Sequence, residues 1–131
     1  MGGPRWTDPG VSAIAVIDDD LLVRDGLTNL LRSLGYEVRA FESADVFLRA
    51  EEPGIDCVIT DQQMPGLTGL ELCTNLKSRT TSLPVIIITA LVLDPLSERA
   101  RRAGVAALLE KPVQSDALIA VLERCLGCSD S

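Results

Sequence analysis

The chain reads as an α/β domain on a doubly wound, five-stranded parallel sheet of order 2-1-3-4-5, and three features of the sequence predict it. Five short apolar runs alternate with five stretches of helical periodicity between residues 11 and 126. Strict alternation implies parallel strands with helices on both faces, because each crossover is right-handed and must cover a face. The runs at 11–17, 57–61 and 85–88 are almost continuously apolar, the pattern of strands buried on both sides. Finally, the polar residues gather at the carboxyl ends of the runs: Asp18, Asp19 and Asp20 after the first, Asp61 at the third, Thr89 at the fourth and Lys111 at the fifth.

Taken in order, residues 1–10 hold three glycines and two prolines without apolar periodicity, and are expected to be a disordered lead or cloning remnant. Residues 11–17 form the first strand. Asp20 can cap the helix that follows, in which Val23, Leu27, Leu30, Leu31 and Leu34 recur at helical spacing and Gly35 is the stop. Residues 37–41 alternate as a second strand. Ser43 then caps a helix facing inward through Val46, Phe47 and Ala50, ended by Pro53 and Gly54.

The third strand ends in Asp61 and breaks into the Pro65-Gly66 turn, after which Thr68 caps a helix with Cys73 and Leu76 inward. Pro84 introduces residues 85–88, the most continuously apolar run and the expected central strand. Asp94 before Pro95 has the cap-then-proline pattern of a helix carrying Leu96, Ala100 and Ala103, with Gly104 after it. Residues 106–109 form the fifth strand. Lys111-Pro112 follows, and Ser115 caps a last helix with Leu118, Val121, Leu122 and Cys125 on its apolar face. Residues 127–131 are expected to be a C-terminal tail or truncated linker.

With 131 residues, 47% of them hydrophobic, the chain supports one domain over 11–126. Its net charge of -7 argues against a nucleic-acid-binding surface. No apolar run approaches the roughly 18 residues of a membrane span, and the N-terminus lacks a secretory pattern, so a cytoplasmic location without membrane contact is expected. Cys57, Cys73, Cys125 and Cys128 are too few for a stapled scaffold and are expected to be reduced. Cys125 and Cys128 have metal-clip spacing, but a zinc site wants four ligands and the chain has no histidine.

In a sheet of order 2-1-3-4-5 the connection direction reverses between strands one and three, and a crevice opens beyond their carboxyl ends. Asp18, Asp19 and Asp61 would face one another there. Acids at strand ends are ordinarily solvated loop residues or caps, and the capping reading is preferred for Asp20. For the other three, charges about 4 Å apart interact by about 4 kcal/mol at an effective dielectric near 20, so an uncompensated trio repels or takes up protons. A divalent cation removes the conflict. Hard oxygen ligands open to water suit Mg²⁺, with Mn²⁺ as the alternative, and such a site points to phosphoryl chemistry. Asp61 can serve as nucleophile, Lys111 can neutralise a phosphoryl group, and Thr89 can donate a hydroxyl to it.

The ordered set Asp18-Asp19, Asp61 with Met64-Pro65-Gly66 and Gly69, Thr89-Ala90, and Lys111-Pro112 resembles the receiver domain of two-component response regulators, of the CheY-like superfamily. The resemblance covers nearly all of residues 11–126 and implies a flavodoxin-like (βα)5 fold. It implies Asp61 as the phosphoacceptor of a histidine kinase or phosphotransfer protein. It further implies Asp18, Asp19, Asp61 and the backbone carbonyl of Gln63 as the Mg²⁺ site, Lys111 paired with the phosphate and preceding a cis proline, and Thr89 as the reporting hydroxyl. Such a domain is a signalling switch that catalyses only its own phosphorylation and dephosphorylation. Helix 4, strand 5 and helix 5 would be its output surface, for a partner or a homodimer, with no direct nucleic-acid contact by this domain.

Two positions depart from the family pattern. Leu108 stands where many receivers carry Tyr, Phe or His, and Val113 replaces the Phe often found after Lys-Pro. Two alternatives remain. A haloacid-dehalogenase-like phosphohydrolase would use the Asp-x-Asp of Asp18 to Asp20 with Thr89 and Lys111, but leaves Asp61 idle. A receiver-like interaction module that is never phosphorylated would leave the whole acid, hydroxyl and lysine set unexplained. Gln63 and Leu91 flank the place an attacking water would use, and Leu91 cannot orient one, so a long-lived phosphoryl group is expected.

Overall fold

The computed structural model describes residues 11–79, 83–90 and 92–126, so the expected lead and tail, Leu91 and Cys128 lie outside the described residues. Five strands, β1 (Ala13–Ile17), β2 (Glu37–Phe41), β3 (Cys57–Asp61), β4 (Val85–Thr89) and β5 (Ala107–Glu110), alternate with α1 (Leu21–Ser33), α2 (Ala44–Ala50), α3 (Gly69–Ser78), α4 (Asp94–Ala103) and α5 (Ser115–Leu126). All neighbouring strands pair in parallel, in the order β2-β1-β3-β4-β5. This is the doubly wound, flavodoxin-like (βα)5 sheet that the alternation predicts.

Successive strand side chains point to opposite faces, and the core divides accordingly. Ala15, Ile17, Val58, Val85 and Ile87 pack with Phe47 of α2, Leu72, Cys73 and Leu76 of α3 and Ala100 of α4. Ile14, Val16, Cys57, Ile59, Ile86 and Ile88 pack with Leu27 and Leu31 of α1 and Leu118, Val121 and Leu122 of α5. Double-sided burial explains why these strands lack polar alternation.

Several local expectations are corrected. The central strand is β3, not the run at 85–88. β1, β3 and β4 are each buried at all five positions, so continuous apolarity marks an inner strand without saying which one is in the middle. Ala50 is exposed, and α2 faces inward through Ala44 and Phe47, with Leu48 packed beside them. Asp94 does not cap α4: the cap position is Leu93, which has no side-chain bond, and Asp94 opens the first turn before Pro95. Ser115 is likewise the first residue of α5 rather than its cap, the Leu118 N–H donating to the Gln114 carbonyl.

Three caps fall where predicted. Asp20 accepts from the Leu22 and Val23 N–H groups, and Ser43 from Val46. Thr68 forms a capping box with Glu71, Oγ1 accepting from the Glu71 N–H at 3.1 Å and the Glu71 carboxylate accepting from the Thr68 N–H at 2.9 Å. Gly35, at φ +97°, follows the end of α1 in the left-handed region that glycine favours. Thr68→Ala removes the hydroxyl half of the capping box and is expected to cost about 1 kcal/mol of folding stability, read as a lower urea midpoint at unchanged slope.

Candidate functional site

β1 and β3 pair with Ile17 opposite Thr60. The next residues along, Asp18 and Asp61, therefore leave the sheet side by side at its carboxyl edge. Both are buried, Asp18 2% and Asp61 7% exposed, whereas Asp19 is exposed. The three carboxylates offer ligand oxygens that lie within 4.8 Å of one another, close enough to share one divalent cation. The phosphohydrolase reading left Asp61 idle, yet it stands inside this cluster.

Lys111 reaches the same point from the end of β5. Its Nζ lies 3.5 Å from Asp18 Oδ2 and 3.5 Å from Asp61 Oδ1. Its backbone N–H donates to the Thr89 carbonyl at 2.8 Å, and the Lys111–Pro112 peptide is cis. One ammonium thus faces three carboxylates, and a negative excess of two remains. A divalent cation matches that excess, and an all-oxygen donor set open to water on the Asp19 side suits a hard ion such as Mg²⁺.

Without a cation the conflict shows in Asp61. Burial, and then the Asp18 charge, push its carboxyl above the ordinary value of 3.8, while Lys111 and the Gln62 backbone N–H pull the other way. Thr89, 3% exposed, ends β4 beside this group, and Gln63 is exposed on the loop after Asp61. Both line a groove of about 350 Å³ that runs between that loop and Leu93, Pro95, Leu96 and Arg99 of the α4 region.

Supports of the site that the sequence reading did not single out come from backbone and second-layer groups. The Asp20 N–H donates to Asp18 Oδ1 at 2.8 Å, and the Arg24 guanidinium donates to the Asp18 carbonyl at 2.6 Å. Arg24 sits one turn into α1, half-buried, where a polar residue at helical spacing carries no signal of such a bond. Gln62, 4% exposed, accepts from the Leu70 N–H at 2.9 Å. A polar side chain directly after Asp61 at the end of an apolar strand was the available signal. The cysteines take no part: Cys57, Cys73 and Cys125 are free thiols, and burial pushes Cys57 up to about 12.

The family model described as response regulator receiver domain matches residues 14–123. The chain belongs to that family. The receiver domain is 41% identical over 115 residues to the transcriptional regulatory protein FixJ of Bradyrhizobium diazoefficiens, covering 86% of this chain and 56% of that protein. It is 38% identical over 124 residues to nodulation protein W of the same organism, covering 90% and 55%. It therefore spans about half the length of these curated relatives. Among solved structures, the response regulator StyR superposes with a TM-score of 0.80 at 40% identity, covering 88% of this chain and 59% of that one. A BeF3-activated DrrB receiver domain superposes at 0.81 and 29% identity, covering 88% and 97%. Phosphorylation on an aspartate is typical of the family. No helix among the described residues is long and apolar enough to cross a membrane.

The raised Asp61 carboxyl fixes a sign. Folding favours its protonated form, so its contribution to stability is present below about pH 3.8 and lost as the pH rises through the elevated value. At neutral pH the ionised, metal-free group is a cost. Asp61→Asn is expected to raise the melting temperature in a chelator at pH 7 by about 3 °C, with the gain narrowing as the pH falls toward the ordinary carboxylate range. A lower melting temperature for the variant at pH 7 contradicts the expectation.

Proposed function

We propose that residues 11–126 form a cytoplasmic, phosphorylatable switch in which Asp61 accepts a phosphoryl group from the phosphohistidine of a histidine kinase or phosphotransfer protein. The single observation that carries this reading is Lys111 Nζ at 3.5 Å from both Asp18 and Asp61, beside a third carboxylate. In the reaction an Asp61 oxygen attacks phosphorus, the P–N bond breaks, and the imidazole leaves with its electron pair, which gives an acyl phosphate. Lys111 offsets charge on the phosphoryl oxygens, and Thr89 donates its hydroxyl to one of them.

Asp18, Asp19, Asp61 and the Gln63 backbone carbonyl would hold Mg²⁺, or Mn²⁺ in its place. When bound, the ion supplies charge neutralisation for the phosphoryl oxygens. In this role the domain catalyses only its own phosphorylation and dephosphorylation. An apolar groove of about 440 Å³ beside Lys111, lined by Val23, Leu27, Pro112 and Val113, supports docking of the donor next to the site. Leu21 and Leu22 are exposed nearby at the start of α1.

The output face would be α4, β5 and α5, used for a homodimer or for a partner such as the remainder of a transcription regulator. Leu108, opposite Ile87 in the β4–β5 pairing, packs in the same apolar layer as Leu96 and Ala103 of α4. Packing in that shared layer would let a movement at the end of β4 reach α4 without an aromatic ring. The phosphoryl group would bias a pre-existing equilibrium of this face.

With Mg²⁺ and beryllofluoride or a small acyl phosphate, ¹H–¹⁵N resonances of the Asp61 loop and of α4 are expected to shift in the native protein and not in Asp61→Asn. Unchanged native spectra at saturating reagent would sink the reading. Once formed, the acyl phosphate is expected to persist for minutes or longer, since Leu91, one of the two residues flanking the place of an attacking water, has no group to orient it. Decay within seconds, followed by phosphate release, contradicts that.

A further inference from the structure

Gln62, the residue after Asp61, has no task in the proposed function, yet it is buried and bonded through its backbone N–H, its carbonyl and its side chain. Its backbone N–H donates to the Ile88 carbonyl at 3.2 Å, and its carbonyl accepts from the Gly69 N–H at 3.2 Å. Its side-chain Oε1 accepts from the Leu70 N–H at 2.9 Å in a buried setting. Gly69 and Leu70 open α3, and the first N–H groups of a helix have no partner within it. Gln62 therefore satisfies two of these donors from the strand side, one with its backbone and one with its side chain.

The approach is close. A Cβ on Gly69 would lie 2.8 Å from the Asp61 carbonyl oxygen and 3.0 Å from Gln62 Oε1, so only glycine lets the helix start against the strand end. Residues 63–68 are thus a loop closed on one helical turn, by Gln62 at its start and by the Thr68–Glu71 capping box at its end.

We propose that Gln62 is a positioning residue for the metal-facing loop: by strapping the end of β3 to the first turn of α3, it holds the Gln63 backbone in the conformation that receives the divalent cation. Gln62 touches neither ion nor phosphoryl group and acts through Gln63. The inference rests on the Mg²⁺ site assigned above. An apolar side chain at 62 would fill the space but leave the Leu70 N–H unpaired, and the loop would exchange among other conformations from which binding must draw it back.

The test is Mg²⁺ titration of the full chain followed by ¹H–¹⁵N shifts, on the native protein, Gln62→Met, Gln62→Glu and Thr68→Ala. Gln62→Met, similar in size without an acceptor, is expected to bind Mg²⁺ about tenfold more weakly. Gln62→Glu keeps an acceptor for the Leu70 N–H and is expected to retain at least the native affinity. Thr68→Ala removes the other closure of the loop without touching the strand end, and is expected to lose stability while keeping its affinity. Should Gln62→Met not fold, Gln62→Asn, whose shorter amide does not reach the Leu70 N–H, carries the same tenfold expectation.

Native affinity in Gln62→Met, an equal loss in Gln62→Glu, or an equal loss in Thr68→Ala each overturns the proposal while leaving the metal site standing. No saturable shift in the native protein overturns the metal site and the proposal together.

Discussion

The pairing of β1 with β3, Ile17 opposite Thr60, is the constraint on which the rest depends. It delivers Asp18 and Asp61 to the same point on the sheet edge, and it is held by burial rather than by anything the acids do. Both strands are buried at every position. A one-residue slip would exchange every side chain between the two faces of the sheet and break both core layers at once. The apolar core thereby forces together two carboxylates that would separate if free.

That enforced proximity leaves a site whose charges do not balance. Lys111 offsets part of the repulsion between Asp18 and Asp61, and the Asp20 N–H and the Arg24 guanidinium fix the Asp18 turn. The remainder is stored in Asp61, whose proton affinity is raised by burial and by Asp18. Such sites are stable only when the surrounding structure over-determines them. Here the over-determination comes from three fully buried strands and from an α3 start set hard against the Asp61 carbonyl. Repulsion of this kind is what a divalent cation would relieve.

The way outward is less polar. Thr89 shares the groove with the start of α4, and Leu108 belongs to the layer that α4 closes. An aliphatic residue there has no polar tip to draw toward solvent or inward, so a change at Thr89 would reach α4 through packing.

Within residues 11–126, alternation of apolar runs and helical periods was enough to read all ten elements, because which segments are strands or helices is written in spacings of two and near four. The acids, hydroxyl and lysine at strand ends were legible too, since in a parallel sheet every carboxyl end lies on one edge. That rule puts Asp18, Asp19, Asp61, Thr89 and Lys111 on one edge, and the family resemblance is what singled them out there. What the sequence could not decide was non-local. Continuous apolarity did not tell β3 from β4 as the central strand, because both are equally buried. Asp94 had the chemistry of a cap, but the path of the chain into α4 put Leu93 there. Gln62 looked like any polar residue after a strand until the tertiary structure brought Leu70 to its side chain. Local physics chose the elements and the chemistry at their ends; register, strand neighbours and the close approach of α3 to Asp61 required the packed core, because only there do residues distant in sequence share space.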